Sequence, residues 1–352
     1  MTEFIVKYAT IYVLLFLAGF SFVLSPKTVK TNKFNNQLII FFSLLLFFLF
    51  ASRSFHVGTD TLGYVSAFER GIFHPYDIGF RLFLELLHFF SSSRRFYLYV
   101  ISLAFMLPIC LFFYKVRYEN KFIMFFIFVN LFSFVNMGIN IIRQGIAVSI
   151  FLLAIYYFGK AKTRTVVLLF FLSFSFHYAM IVPIILYLIS INFRSIMIPF
   201  LCFVLSIVLA IFAFDFLSFL KSIPILGSWS ILVERIEVIA QAEGYRTGFR
   251  VDFFVFNLFF VVLGLISYRN AIKLIPQYRI YLSYFLFSSA YFFLMFWVPF
   301  SDRFGIFSWI FIPFVMLPFV QQIGLFSKIG RLFSLLAIVS IHILMLPRMS
   351  FF

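Results

Sequence analysis

The sequence predicts an all-α, polytopic integral membrane protein of roughly 11–12 transmembrane helices with one larger external loop. Three observations predict it. The chain is 64% hydrophobic and 11% charged, with a mean hydropathy of +1.10, which leaves far too little polar surface to coat a water-soluble globule of 352 residues. Its apolar runs approach the roughly 20 residues that an α-helix needs to cross the hydrocarbon. None of them shows the in-and-out alternation of a transmembrane barrel strand.

Taken in order, Phe4–Leu24 reads as a retained first helix, because it is longer than a signal-peptide core and lacks a strongly basic leader. Leu38–Ser52, Phe96–Tyr114, Phe122–Val135, Ile141–Phe158 and Ile196–Phe214 follow as spans. Asp252–Tyr268, Ile280–Val298, Phe304–Val320 and Leu332–Leu346 complete the set. Two segments differ. Ile78–Phe90 carries Arg81, Glu85 and His88 on one helical side, which suits a helix lying in the interface. Val166–Ile189 is interrupted by His177 and Pro183 and reads as two half-membrane helices meeting at a polar point. No internal repeat and no soluble domain is visible, so residues 1–352 form one membrane domain.

Cys110 and Cys202 lie within apolar runs and read as packing residues. The net charge of +16 excludes little by itself. In a soluble protein it would suggest nucleic acid, but here the positive residues punctuate hydrophobic helices, so nucleic acid is not an expected partner and orientation against anionic membrane lipids is.

The ionisable residues fall into two kinds of segment. Lys27–Lys33, Lys115–Lys121, Lys160–Arg164, Arg269–Arg279 and Lys328–Arg331 are mainly basic punctuation. If Ile78–Phe90 does not cross and Val166–Ile189 goes in and back, all of them face the cytoplasm, and every mixed polar cluster emerges on the external face. The longest external segment is then residues 215–251, with Leu232, Ile236 and Ile239 marking a short amphipathic helix able to cover a site. A solvated connector is the alternative.

The mixed clusters carry the candidate chemistry. In Arg53 to Tyr64, Gly58 permits a tight turn, and Asp60 and Tyr64 share a face if a helix starts near Thr59. Thr59 or Asp60 also suits a plain helix cap, and Arg53 a snorkelling anchor. Asn140, Arg143 and Gln144 stand at i, i+3 and i+4 at the start of an apolar span. An arginine there either lines a polar cavity or pairs with an acid, Asp60 or Asp302 being the natural partners. His177, alone among Phe and Ser, reads from spacing as a structural hydrogen-bonder, and Asp302-Arg303 as a local ion pair.

These residues resemble a known family. The Arg53…Val57-Gly58-Thr59-Asp60-Thr61…Tyr64 segment is similar to the signature of the EpsG/Wzy-type polysaccharide polymerases, as are Asn140-Ile-Ile-Arg143-Gln144-Gly-Ile-Ala147, Phe176-His177-Tyr-Ala and Ser301-Asp302-Arg303. Such proteins are inner-membrane glycosyltransferases that join lipid-linked repeat units of O-antigen, capsule or exopolysaccharide on the external face. The resemblance implies an undecaprenyl-diphosphate-linked oligosaccharide donor, attacked at its anomeric carbon by a hydroxyl of the acceptor unit. It further implies a flippase and a chain-length regulator as partners.

A lipid diphosphate leaves readily once its charge is neutralised, a task that arginine forks suit. Arg143, Arg53 and Arg303 are the candidates, with Arg246 and Arg250 reaching in from the loop. Asp60 is the first choice of general base and His177 the second, while Asp302 orients Arg303. Tyr64 is placed to stack on a sugar ring, with Asn140 and Gln144 binding substrate. No cofactor is expected, and no compact carboxylate or histidine cluster marks a metal site. A flippase would want cations on both sides of the midplane and repeat symmetry. A ligase of finished polymer shares the chemistry and differs only in the acceptor.

Overall fold

The computed structural model describes residues 2–24, 32–216, 218–219, 247–275 and 277–320, with single positions at 336, 339 and 340. Among the described residues every regular element is helical. The expected span Leu332–Leu346 and the loop helix at Leu232, Ile236 and Ile239 lie outside them. Two compact units result, Met1–Ile184 with Phe319–Phe352, and Ile185–Pro318.

The first unit opens with α1 (Thr2–Leu24) and α2 (Asn32–Ala51), followed by the short α3 (Thr61–Arg70) and α4 (Ile78–Phe90). The 13 residues of α4 rise about 20 Å, short of the ~30 Å hydrocarbon. Phe80, Leu84 and Leu87 face protein, whereas Ile78, Leu82, Leu86 and Phe89 are exposed, with an Arg81–Glu85 ion pair on the flank. That is the three-sided pattern of a helix lying between protein, acyl chains and headgroups.

Next come α5 (Arg94–Lys115), α6 (Lys121–Val129) and α7 (Phe132–Ile139), then α8 (Ile142–Phe158) and α9 (Thr163–Phe176). The single span expected at Phe122–Val135 is broken, since α6 and α7 meet at 65°. The break falls at Asn130, which ends α6. The Asn130 Nδ2 donates to Phe126 O at 2.8 Å beside its own N–H at 3.1 Å, and Leu131 turns extended. All of α6 is buried, so the interrupted backbone does not meet lipid. The interruption expected at His177 is present: it ends α9 in an extended conformation, a 3-10 turn covers Tyr178–Met180, and α10 (Ile181–Asn192) follows. Pro183 is tolerated there because the first turn needs no amide donor.

The first unit has two chemically different ends. Phe122 N donates to Asn35 Oδ1 at 2.9 Å, and Lys121 Nζ donates to Tyr114 O at 2.5 Å, which gathers Lys33, Lys115 and Lys121 at one end. At the far end of α2 and α5, Arg95 Nη1 donates to Arg53 O at 2.8 Å. The hairpin of α8 and α9 puts Arg143 and His177 at this second end and the Lys160–Arg164 turn at the other. The basic and mixed segments of this unit are thus segregated, as the charge pattern predicts.

In the second unit, α11 (Met197–Ile211), α12 (Val251–Leu274), α13 (Tyr278–Leu294), α14 (Ser301–Trp309), α15 (Ile312–Val315) and α16 (Leu317–Val320) follow in order. α13 is central and packs on α11, α12, α14 and α15. The Tyr278 hydroxyl donates to Val315 O at 3.0 Å, and the Trp309 indole to Asn257 Oδ1 at 3.1 Å. The span expected at Phe304–Val320 is stepped rather than one continuous helix, and it begins at Ser301.

Among the described residues five helices are long and apolar enough to cross a membrane, six with the bent pair, and four shorter apolar helices accompany them. The chain is a multi-pass membrane protein.

Candidate functional site

The site is built where two chain breaks meet. Gly58 has φ +92°, and a Cβ there would stand 2.2 Å from Ile139 Cγ2 and 2.5 Å from Asn140 Oδ1. Glycine is therefore required twice over, for the left-handed turn and for the close approach. Thr61 Oγ1 donates to Ile139 O at 3.0 Å, and Thr59 Oγ1 lies 3.5 Å from Asn140 Oδ1. The Gly58-to-Thr61 turn is thereby fastened to the α7–α8 junction. Gly145 keeps α8 tight against α7, since a Cβ would meet Met137 O at 2.4 Å.

In the first turn of α8, Arg143 is held from three directions. Its Nη1 donates to Asp77 Oδ2 at 2.5 Å, its Nε to the Tyr64 hydroxyl at 3.1 Å, and its guanidinium lies 5.4 Å from the Tyr76 ring centroid. Tyr64 and Tyr76 stack at 5.5 Å. Burial, reinforced by Tyr64, pushes the Tyr76 phenol up to about 12 against the pull of Arg143, so Tyr76 stays protonated at neutral pH. Tyr76 is a ring platform, not a base.

Asp77 is the hub. It precedes α4 in the N-cap position but makes no side-chain cap bond. Its buried carboxylate instead faces Arg143 and His177, whose Nδ1 is 3.6 Å from Oδ2. The neighbouring Ile78 N–H donates to the Tyr178 hydroxyl at 3.1 Å. Gly79 lies against Ser175, 2.2 Å from Oγ to a notional Cβ. The start of α4 is thus seated in the break after α9, with Arg143 and His177 on either side of one carboxylate.

The second unit carries a separate polar cluster. Arg250 grips Asp252 bidentately, Nε at 3.1 Å and Nη2 at 2.9 Å, and stacks on Phe253 at 4.2 Å. Asp302 lies in the first turn of α14 and is under the charges of Arg303 and Arg250, while Arg303 lies 4.4 Å from the Phe300 ring. Gly248 N donates to Phe296 O at 3.0 Å, bringing the chain before α12 alongside the turn before α14.

Comparison with known families matches one over residues 36–351, nearly the whole chain. The chain belongs to the EpsG family. No curated protein and no solved structure matches it.

Within this EpsG-family chain the expected site residues separate by position. Arg143, Tyr64 and His177 come together around Asp77, and Asn140 is tied to the same corner through Thr59. Asp60 lies at the edge, accepting from Thr59 Oγ1 at 3.1 Å. Gln144 is buried in α8, and Arg53 is buried at the end of α2, where its Nη1 donates to Phe50 O at 2.6 Å. Arg250, Asp302 and Arg303 belong to the second unit, and Arg246 lies outside the described residues.

One expectation is corrected: the acid paired with Arg143 is Asp77, not Asp60 or Asp302. Asp77 and Tyr76 were missed because they sit in a short turn among aromatic residues. A signal existed. An aspartate immediately before an amphipathic helical segment is a helix-start pattern, and following it would have placed a carboxylate beside the interfacial helix.

Proposed function

We propose that this EpsG-family protein is a glycosyltransferase of the bacterial cytoplasmic membrane that polymerises undecaprenyl-diphosphate-linked oligosaccharide repeat units on the external face. The observation that carries the reading is the Arg143–Asp77–His177 cluster, at the end of the first unit away from its basic turns.

In this reading the acceptor hydroxyl attacks the anomeric carbon of the donor sugar. The bond from that carbon to the diphosphate oxygen breaks, and the lipid diphosphate departs with the electron pair. Arg143 offers the leaving group a cationic fork whose direction is set by Asp77 and Tyr64. His177 Nδ1 lies 3.6 Å from Asp77 Oδ2, a charge contact longer than a hydrogen bond, and in this reading its Nε2 is the atom that accepts the acceptor's proton. A carboxylate at this distance stabilises the imidazolium that forms, which is the electrostatic half of a recurrent arrangement for that task. Tyr64 and Tyr76 supply a stacked aromatic pair beside the guanidinium, suited to the apolar face of a sugar ring.

The test is a deletion strain examined for its surface polysaccharide. Loss of long polymer with a single repeat unit still attached supports the polymerase. Absence of any external repeat unit would transfer the protein to the flippases, and unattached polymer to the ligases.

A further inference from the structure

Near the Arg143 cluster, Arg53 is a second buried cation with no acidic partner among the described residues. Arg53 is 2% exposed. Its Nη1 is bonded to Phe50 O in the last turn of α2, but Nε and Nη2 are buried and have no acceptor among the described residues. The groups acting on it electrostatically are Tyr97 and Arg95, neither of them an anion at neutral pH. Burial pulls the guanidinium down to about 10, which still leaves it charged.

Tyr97, in the first turn of α5, is fully buried, and its hydroxyl also has no hydrogen-bond partner among the described residues. The same phenol is within electrostatic reach of Tyr64, Tyr76 and Arg143, so this region adjoins the candidate site without sharing its carboxylate. Arg95 closes over the backbone, donating to Arg53 O at 2.8 Å and stacking on Phe55 at 4.8 Å.

A buried, unpaired guanidinium is among the costliest groups a fold can hold. The carbonyl end of α2 offsets about half a charge. Water would satisfy the N–H groups without supplying the missing charge. What remains are two buried N–H directions of Arg53 and the buried Tyr97 O–H, electrostatically coupled to it, with one positive charge to balance. The enclosure limits the ligand's size, because a lipid-linked phosphate trails a chain that needs an exit.

We propose that Arg53 and Tyr97 hold a small inorganic anion of the chloride class at the junction of α2 and α5, distinct from the Arg143–Asp77–His177 cluster. The anion balances Arg53 and shields Arg143 from a like charge, and its binding does not depend on what the protein polymerises.

The full chain, purified in detergent, is melted in sodium chloride, sodium bromide and sodium gluconate at constant ionic strength. Chloride and bromide should raise Tm saturably over gluconate. Tyr97→Phe, which removes one donor and no volume of consequence, should raise the half-saturating halide concentration about tenfold. Arg53→Gln should abolish the halide response, and if that variant does not fold, Tyr97→Phe carries the test. In bromide, anomalous scattering should peak between Arg53 and Tyr97. A wild-type Tm indifferent to halide, or a Tyr97→Phe variant with the wild-type response, overturns the proposal. So does stabilisation by undecaprenyl phosphate that requires Arg53 while halide has no effect, which would give the site to a lipid headgroup.

Discussion

The Asp77 carboxylate stands 2.5 Å from Arg143 Nη1, linking residues 66 positions apart, and the same oxygen lies 3.6 Å from His177 Nδ1. Asp77 is buried, while Arg143 keeps about a quarter of its side chain exposed. The acid is therefore the fixed member and the arginine the one that can meet a ligand.

Removing the Asp77 charge should cost more than removing a surface pair. Asp77→Asn leaves Arg143 without its counter-ion and should lower stability by roughly 1–3 kcal/mol, discounted for the exposure of Arg143, and shorten the polymer sharply. Arg143→Lys keeps the charge but has one donor centre where the fork has two, so polymer should also shorten while insertion is preserved. Wild-type polymer from both variants would remove the pair from the site. A double-mutant cycle with alanines should show strong non-additivity.

His177 and Asp60 are separable as proton acceptors. With purified protein and lipid-linked repeat units, His177→Gln should lose about 10²–10⁴ in turnover with substrate still bound. Asp60→Asn should retain most activity, because Asp60 is engaged by Thr59 at the edge of the cluster. The reverse result would restore Asp60 as the base.

Much of the fold was legible because hydrophobic length is written directly in the sequence. Ile78–Phe90 matches α4 residue for residue, and the break at His177 is where the polar residue interrupts the run. The break at Asn130 was not legible, because one asparagine in an apolar run is equally compatible with an intact helix, its side chain folding back on the Phe126 carbonyl that its own N–H already uses. At the site, Arg143 and Tyr64 were legible as polar residues beside apolar spans, and His177 as a polar interruption within one, although its spacing alone read as structural. Asp77 was not legible, since its importance comes from α9 folding back to place His177 beside it, a tertiary fact. Choosing among the acids of the mixed polar clusters favoured Asp60 or Asp302, and three-dimensional packing chose Asp77.

Gly58→Ala should be more damaging than a glycine-to-alanine change in an ordinary turn. The positive φ alone costs about 1–3 kcal/mol, and the added methyl meets Ile139 and Asn140, neither of which can retreat without disturbing the α7–α8 junction. Expression should fall and polymer be lost, whereas Gly63→Ala, with open space around the site of its Cβ, should be silent. Equal behaviour of the two variants would contradict the close approach.

Segregation of charge within the first unit predicts sidedness. Cysteines placed at Lys162 and at Asp60 should be labelled from opposite faces of the membrane, Lys162 from the cytoplasm and Asp60 from outside. Labelling of both from one side would undo the external placement of the cluster.

Tyr76 gives the cluster an alkaline signature. Its phenol is raised from an ordinary value of 10.0 to about 12, first by burial and then by Tyr64. A raised acid of this kind keeps its proton longer in the folded state than in the unfolded one. Its contribution to stability is therefore intact below about pH 10 and declines as pH climbs from there through about 12. Tyr76→Phe keeps the ring that stacks on Tyr64 and faces Arg143 but removes the ionisation. Its melting temperature should track wild type at neutral pH and fall less steeply between pH 10 and pH 12. Parallel alkaline curves for the two proteins would mean that Tyr76 is not enclosed between Tyr64 and Arg143, and the aromatic platform would have to be given up.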